Sequence, residues 1–356
     1  MNMGDKIEFK KIFRVSPSQF SSMKNCSYKL LLAEAFNKRP RLPNSPNAYL
    51  GIVLHKILEL ISKGNIINEA DFNSIFDKEI RMMEIDLEEK GFSHLVPLQN
   101  NVKDFGIKKI QLKKHLRSTA VSRRHESGIK YISEKLFESK DKLVCGKIDL
   151  IIEVDGRIEI IDFKTGAITE NVFDDNGETY LEVKNEYQDQ LMLYAYLYFD
   201  CTGKFPTKLS IVDLDKQIFN FEFSEESCKS VFEEAKTLLI EINKSVETSI
   251  FKANPNELNC KYCLYRPACS FYMQLLTNSN LFNDVCGLLT EVTQYENGNV
   301  TVVVENGKNR ISVTGFACDK FDYFKSRKNL RINLFNLRKE ADGFVYSSTK
   351  STTIYE

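Results

Sequence analysis

The chain has 356 residues, of which 42% are hydrophobic and 28% charged, a composition typical of a globular protein with two domains or one large one. Lysine plus arginine and aspartate plus glutamate both total 49, so the net charge indicates no partner and any nucleic-acid surface would have to be local. The charged N-terminus lacks the apolar stretch of a secretory signal, and the longest apolar run, Leu191–Phe199, is far below the roughly 20 residues that cross a bilayer. We therefore expect a cytoplasmic protein with no membrane partner.

The first third of the chain is predicted to be helical. Ser16 is a good N-cap, Pro17 suits the first helical position and Gln19 completes a capping box, so a helix should begin here and continue through Cys26. A loop rich in proline and asparagine, residues 39–47, precedes a second helix that ends at Gly64. Residues 66–125 are predicted to be mostly helical. They contain a basic stretch, for which a solvated helix face is an alternative to a binding role: Lys108, Lys109, Lys113, Lys114 and Arg117.

Residues 131–164 change to a strand pattern. Two β-branched runs flank Asp155-Gly156, a strong signal for a two-residue hairpin turn. If these are the turn residues, facing positions sum to 311, so Asp149 lies opposite Asp162 and Lys147 lies opposite Lys164.

The predicted register brings two carboxylates together. Directly opposed like charges destabilise a sheet, and a divalent cation between Asp149 and Asp162 would remove the repulsion. Mg²⁺ or Mn²⁺ held there could activate water and stabilise charge on a phosphate, with Lys164 on the same strand face. The alternative is a surface hairpin whose register is shifted by a bulge.

The rest of the chain alternates helices and strands. Residues 186–199 predict a helix and residues 208–222 a strand pair, and Ser224 begins another helix with an incomplete capping box, since Ser227 stands where Glu or Gln would complete it. The lone histidines His94, His115 and His125 are expected on the surface. A domain boundary is predicted near residue 280, which gives domains of residues 1–280 and 281–356.

The last domain is predicted to be a small antiparallel β-domain of about five strands, compatible with an OB-like barrel. From Gly307 to Glu340 there are nine basic and three acidic residues. The basic residues alternate with aromatic ones, which either stack on single-stranded nucleic acid or form the core of the domain: Phe316, Phe321, Tyr323, Phe324 and Phe335.

Three of the nine cysteines are clustered. Cys260, Cys263 and Cys269 have the spacing C-x2-C-x5-C, which in a cytosolic protein indicates zinc or an iron–sulfur cluster. Both usually need a fourth ligand, and the local sequence offers none. Five other cysteines are scattered singly and are expected to be small buried side chains: Cys145, Cys201, Cys228, Cys286 and Cys318.

The motifs in the middle of the chain resemble one known family. A Gly-x-x-Asp strand is followed by Asp-x-Lys-Thr-Gly and then by a Gln-x-x-x-Tyr helix. This order is similar to that of the RecB-like branch of the PD-(D/E)xK nuclease superfamily. The matching residues are Gly146, Asp149, Asp162, Lys164, Thr165, Gly166, Gln190 and Tyr194.

The resemblance implies a fold and a site. The fold would be an α/β restriction-endonuclease-like core, a central mixed sheet flanked by helices, with a helical insertion at about residues 66–130. Asp149 and Asp162 would bind Mg²⁺ or Mn²⁺, Lys164 would assist catalysis, and Gln190 and Tyr194 would position the substrate. Two further residues match the family pattern: His55, in Gly51-x-x-x-His-x-x-Leu-Glu, as an additional metal ligand, and Glu134 as a supporting acid before the Gly-x-x-Asp strand.

The resemblance also implies a fourth cysteine. AddB-like members with a 4Fe–4S cluster carry one cysteine upstream of the nuclease motifs and three downstream, and Cys26 matches the upstream one, with Ser27 where proline is more usual. Cys26, Cys260, Cys263 and Cys269 would then hold a structural cluster. The alternatives are a zinc site with the same ligands, or no cluster and a buried Cys26.

The function implied is a metal-dependent DNA nuclease that hydrolyses phosphodiester bonds, expected to be an exonuclease on single-stranded or end-containing DNA. A non-catalytic DNA-binding scaffold of the same fold is the alternative. Since the chain has no Walker-type motif, a helicase or other repair or defence partner would be a separate chain.

Overall fold

The computed structural model describes residues 7–122, 129–173, 179–277, 282–307, 309–340 and 343–356. The chain divides into two compact units. The central unit consists of Lys11–Lys24 and Pro46–Thr248, and the terminal unit consists of Met1–Lys10, Asn25–Ser45 and Ser249–Glu356. The domain boundary predicted near residue 280 falls on residues 278–281, outside the described residues, and it stays a prediction.

Helices and strands alternate along the chain, so the fold class is α/β with mixed sheets. The helices are α1 (Pro17–Asn25), α2 (Ser27–Ala35), α3 (Pro46–Lys63), α4 (Glu69–Glu89), α5 (Leu98–Asn101), α6 (Phe105–Ser122), α7 (Asn185–Thr202), α8 (Glu225–Thr248), α9 (Glu257–Lys261), α10 (Ser270–Leu276) and α11 (Phe321–Lys325). The strands are β1 (Ile129–Glu138), β2 (Cys145–Val154), β3 (Arg157–Phe163), β4 (Thr169–Phe173), β5 (Thr179–Val183), β6 (Lys208–Val212), β7 (Ile218–Phe221), β8 (Val285–Gln294), β9 (Val300–Asn306), β10 (Asn309–Phe316), β11 (Arg331–Phe335), β12 (Arg338–Lys339), β13 (Val345–Ser347) and β14 (Thr353–Tyr355).

The central unit is built on a five-stranded mixed sheet in the order β1-β2-β3-β6-β7. The predicted hairpin is present: Val154 pairs with Arg157, and both Asp155 and Gly156 have the positive φ, 47° and 80°, that a two-residue hairpin turn requires. β3 and β6 are parallel, with α7 in the connection between them. This sheet is the mixed α/β core that the sequence predicts.

Helices α3, α4 and α6 share one apolar core, in which Leu54, Phe72, Phe76 and Leu112 are fully buried. Apolar residues at helical spacing in each segment place these side chains on one face, so the predicted helical character of residues 66–125 is confirmed for α4 and α6.

Two predicted helix starts differ in detail. The Gln19 side chain accepts from the backbone N–H of Ser16 at 3.1 Å, as predicted, but α1 ends at Asn25, and Cys26, with φ −161°, is the N-cap of a separate helix, α2. Before α8, the Ser227 hydroxyl accepts from the Ser224 N–H and the Ser224 hydroxyl accepts from the Ser227 N–H, both at 3.0 Å. The capping box is therefore complete, because a serine hydroxyl can accept this bond as a glutamate would.

The terminal unit contains a seven-stranded sheet in the order β12-β13-β10-β9-β8-β11-β14. The sequence predicts about five antiparallel strands here, whereas the structure adds two short strands, and β10 and β13 pair in parallel. Phe316, Phe324 and Phe335 are buried, so they fill the interior and are not available to stack on bases. Phe321 and Tyr323 are partly buried against the same core.

None of the helices in the described part of the chain is both long and apolar enough to span a membrane.

Candidate active site

The β2–β3 hairpin brings together the two acids on which the sequence analysis depends. The ladder keeps the predicted register, with facing residues summing to 311 as far as Leu150 and Ile161. Asp149 and Asp162 lie one step further and are both buried, and Asp149 Oδ2 accepts the backbone N–H of Phe163 at 2.8 Å. The sheet therefore fixes the relative position of two carboxylates in a dry environment.

The predicted opposition of Lys147 and Lys164 is not present, because the β2–β3 bridges among described residues stop at Leu150. Lys147 pairs instead with Leu136 of β1, and its ammonium contacts the Glu134 carboxylate and lies 3.7 Å from Glu59. Sequence reasoning missed this pairing, because the count through the turn ignored the strand on the other side of β2.

Helix α3 adds a histidine to the acids. His55 Nε2 hydrogen-bonds Asp149 Oδ1 at 3.2 Å and lies 3.8 Å from Glu134 Oε1. The ligand atoms of His55, Glu134 and Asp149 all lie within 4.8 Å of one another, which is close enough for one metal ion to contact them. Glu134 reaches this position from β1 at a backbone irregularity where its φ is 56°.

A second chain of hydrogen bonds joins Asp162 to helix α7. Lys164 Nζ lies 2.7 Å from Asp162 Oδ2 and donates to Gln190 Oε1 at 2.9 Å. Gln190 Nε2 in turn lies 3.2 Å from Asp162 Oδ1 and 3.3 Å from the Tyr194 hydroxyl. Because Gln190 and Tyr194 are four residues apart, one face of α7 supplies both.

The electrostatics of the site favour an added cation. Burial raises the pKa of Asp162 to about 6, against the opposing charge of Lys164. Burial likewise raises the pKa of Glu134 despite Lys147, and the hydrogen bond to Asp149 raises the pKa of His55. Among the described residues, Glu134 Oε2 and Asp162 Oδ2 find no hydrogen-bond donor in good geometry, although each has a lysine within ion-pair distance. Oxygen and imidazole ligands of this kind suit Mg²⁺ or Mn²⁺.

Close approach of neighbouring side chains explains why glycine occupies two of the motif positions. A Cβ at position 146 would lie 2.8 Å from Pro17 Cδ and 2.9 Å from the ring of Tyr194. A Cβ at Gly51 would lie 3.1 Å from the hydroxyl of Thr165. Glycine at these positions lets α1, α3 and α7 pack tightly around the hairpin that carries the acids.

The predicted residues share one open cavity of about 570 Å³. It is lined by His55, Asp149, Asp162, Lys164, Gln190 and Tyr194, with Glu134 beside it at His55. Two other lining residues are Lys108 of α6, predicted only as one of a basic stretch, and Tyr187 of α7, for which no site role was predicted. Tyr187 lies three residues before Gln190 on the same helix face, and this spacing could have identified it; the Lys164 ammonium lies 4.6 Å from the centre of its ring.

The other histidines take no part in this site. His94 is exposed, as predicted. His115 is buried, and its Nε2 hydrogen-bonds the carbonyl of Leu214 at 3.1 Å, so the prediction that it lies on the surface is wrong. Burial lowers its pKa. His125 lies outside the described residues.

The terminal unit gathers the four cysteines singled out in the sequence. Cys26, Cys260, Cys263 and Cys269 line one small cavity of about 20 Å³. Burial raises the pKa of Cys260 to about 11 and that of Cys269 to about 12. Of the remaining cysteines, Cys145, Cys228 and Cys286 are buried as expected, whereas Cys201 and Cys318 are exposed.

A buried ionic network joins the cysteine loop to the sheet of the same unit. Arg266 donates to the carbonyl of Cys263 at 2.9 Å and pairs with Asp284 at 2.5 Å and 3.0 Å. Tyr272 donates to the same carboxylate at 2.6 Å, and the Asn336 N–H does so at 2.8 Å. Asp284, directly before β8, is therefore fully satisfied although it is buried.

Comparison with known proteins assigns the family. A profile of the PD-(D/E)XK nuclease superfamily matches residues 14–270, most of the chain, and the protein belongs to this superfamily. No curated protein sequence matches the chain significantly.

Two solved structures show more distant similarity. One, from Eubacterium rectale and provisionally named an exonuclease, is 11% identical, with 74% of this chain and 88% of that chain covered and a TM-score of 0.44. Another, described only by the phrase "structural mimicry for functional antagonism", is 8% identical, with coverages of 66% and 98% and a TM-score of 0.17.

Proposed function

We propose that this member of the superfamily is a Mg²⁺- or Mn²⁺-dependent deoxyribonuclease that acts as an exonuclease on single-stranded or end-containing DNA. The observation that carries the proposal is the convergence of six motif residues from α3, β2, β3 and α7 on one cavity. A cavity of about 570 Å³ has the size of a small-ligand site, which suits a strand end better than a duplex.

The donor set fits a hard divalent cation. His55, Asp149 and Asp162 would hold it, with Glu134 in support. The ligand atoms of His55, Glu134 and Asp149 lie within 4.8 Å of one another, and Asp162 lines the same cavity. Such an ion, when bound, supplies an activated water and stabilises charge on a phosphate.

The chain's own residues would then position the substrate and neutralise charge on its phosphate. Lys164 is held between Asp162 and Gln190, so its ammonium has one defined place from which to stabilise a phosphate oxygen or orient a water. Gln190 fixes Lys164 and Asp162 together, and Tyr194 fixes Gln190. Without an ion, His55 Nε2 hydrogen-bonds Asp149 Oδ1 at 3.2 Å, and a bound ion would replace this bond, since one ring nitrogen cannot both carry a proton and bind a metal.

The proposal is tested with Asp162→Asn. With Mn²⁺ and end-labelled single- and double-stranded DNA, wild type should shorten the strand from an end, and the variant should lose at least about 100-fold in rate because a metal ligand is removed. Asp155→Asn is the matched control, because it makes the same change in the turn of the same hairpin, where asparagine accepts the positive φ.

Three results would contradict the proposal. Cutting by Asp162→Asn at the wild-type rate would remove the assigned site. Binding of DNA by wild type without cutting, under both metals and with every end type, would favour the non-catalytic scaffold instead. Internal cuts in circular single strands would contradict the exonuclease mode.

We further propose that Cys26, Cys260, Cys263 and Cys269 hold a structural 4Fe–4S cluster, as in the RecB-like/AddB-like branch. The support is a set of four buried or half-buried thiols around one cavity, which need a metal to be stable as thiolates.

The cluster and zinc alternatives differ in colour. Anaerobically purified protein should be brown and contain about four irons per chain, and Cys26→Ser should be paler. Colourless protein with one zinc per chain would establish the zinc site. A helicase or another repair or defence protein would be a separate partner.

A further inference from the structure

The helical insertion places one lysine inside the active-site cavity. Lys108, near the start of α6, lines this cavity together with Asp149, Asp162 and Lys164. Its side chain is half-buried. The sequence alone does not distinguish Lys108 from the other lysines of α6.

The neighbouring lysines on α6 are already paired. Lys109 lies 2.8 Å from Asp77, Lys113 lies 2.9 Å from Glu69, and Lys114 lies 3.8 Å from Asp215. Across the described part of the chain, no carboxylate lies within ion-pair distance of Lys108. The basic stretch is therefore mostly a neutralised helix face, and Lys108 is the exception that points at the cavity.

The charges of the cavity leave a role for such a lysine. A DNA strand must approach Asp149 and Asp162, which repel phosphate, and the charge of Lys164 is balanced by Asp162 at 2.7 Å. An ammonium whose charge no carboxylate balances attracts a phosphate from several ångströms away. Lys108 supplies that attraction from a different element of the fold than the metal-binding hairpin.

We propose that Lys108 is a substrate-positioning residue that binds a phosphate of the DNA strand next to the one being hydrolysed. The inference rests on the proposed nuclease function and sharpens it. The substrate class is then a strand that carries at least two phosphates, and the helical insertion is part of the substrate-binding surface.

The test compares two substrates and four proteins. The proteins are wild type, Lys108→Met, Lys108→Arg and Lys103→Met. The methionine keeps the apolar stem, the arginine keeps the charge, and Lys103 is an exposed lysine in the turn before α6 that does not line the cavity. The substrates are a single-stranded oligonucleotide and bis(p-nitrophenyl) phosphate, which has one phosphodiester.

On the oligonucleotide, Lys108→Met should raise KM about five- to tenfold with kcat little changed. The slope of log affinity against log salt, measured by anisotropy with Ca²⁺ in place of the active metal, should decrease by about 0.7, the value for one single-strand phosphate contact. Lys108→Arg should restore most of the affinity, Lys103→Met should match wild type, and the single-phosphodiester probe should be cleaved equally by all four.

Other outcomes overturn the inference. Equal KM and salt slope in Lys108→Met and wild type would show that no phosphate is bound there. An equal loss on both substrates would assign Lys108 to the chemistry or to stability. Failure of wild type to cut either substrate would refute the nuclease proposal itself, so the two failures are distinguishable.

Discussion

At the scale of single residues, Gly146 allows Pro17 of α1 and Tyr194 of α7 to pack closely against β2. Gly146→Ala should destabilise the protein by about 2 kcal/mol, because its Cβ would lie 2.8 Å from Pro17 and 2.9 Å from the Tyr194 ring and both neighbours must move. Urea unfolding measures the loss. Because Tyr194 holds Gln190, cleavage by the folded variant should also fall.

Gly106→Ala is the control for this change. Gly106 lies in the first turn of α6, and nothing lies within 4 Å of an added Cβ. Alanine there should therefore raise the free energy of unfolding of the protein by about 0.5–1 kcal/mol. If both alanine variants shift stability in the same direction, the close-approach explanation for Gly146 is wrong.

At the scale of elements, an ion pair connects the turn between β1 and β2 to helix α8. Asp141 Oδ2 lies 2.8 Å from Lys236 Nζ, and its other oxygen accepts from Ser139 at 2.7 Å and from the Leu143 N–H at 3.1 Å. Partial burial opposes these contacts, but together they lower the pKa of Asp141 to about 2.

The pH dependence follows from this depressed pKa. Since the folded pKa lies below the unfolded value of 3.8, the stabilisation is present above about pH 4 and is lost as the pH falls toward 2. Asp141→Asn should therefore lower the free energy of unfolding by about 1 kcal/mol at pH 7, a value reduced because the carboxylate is partly exposed. This difference from wild type should shrink by about half at pH 3.

Urea titrations of wild type and Asp141→Asn from pH 3 to pH 7 measure this difference. Asp86→Asn is a suitable control, because Asp86 pairs with Lys90 four residues further on, at the end of α4, where such a pair contributes about 0.3–0.5 kcal/mol. A difference for Asp141→Asn that does not change with pH would mean that the turn, rather than the charge, determines its effect.

At the scale of the whole molecule, the four cysteines belong to one of the two compact units. All four lie in the terminal unit, whereas the hairpin that carries Asp149 and Asp162 lies in the central one. If the cluster is present, Cys26→Ser should lower amide protection in β8, β9 and β11, while β2 and β3 keep theirs. The physical reason is that the cluster ties together segments more than 230 residues apart within that unit.

Hydrogen exchange detected by mass spectrometry measures the amide protection of these strands. Cys318→Ser is the matched control, since Cys318 is exposed in the same unit and does not line the cysteine cavity. Equal loss of protection in both units would show that the cysteines stabilise the molecule as a whole, and unchanged protection would contradict a structural cluster.

Local signals account for the parts of the site that could be predicted. The Asp155-Gly156 turn set the hairpin register, and that register gave Asp149 and Asp162 as partners, because the period of a strand is fixed at two residues. The family resemblance singled out Gln190 and Tyr194, and helical spacing put them on one face, where they are hydrogen-bonded. These relations span fewer than about 15 residues, within which backbone geometry decides which side chains meet.

Other parts depended on packing between distant segments. The contact of Lys147 with Glu134 required knowledge of β1, and the burial of His115 required the carbonyl of Leu214, 99 residues away. The break between α1 and α2 at Cys26 was likewise not visible in local propensity.

The sequence by itself determined which chemical groups are candidates: two carboxylates, a lysine and a histidine in motif context, and three closely spaced cysteines with a fourth, Cys26, implied by the family resemblance. Only the tertiary structure decided which other residues surround these groups. It placed Glu134, until then only a match to the family pattern, within 4.8 Å of the His55 and Asp149 ligand atoms. It also buried three of the aromatic residues of the terminal unit and placed Lys108 rather than its neighbours in the cavity. The reason is that chemistry depends on residue type and local geometry, whereas burial, charge balance and access depend on which distant segments pack together.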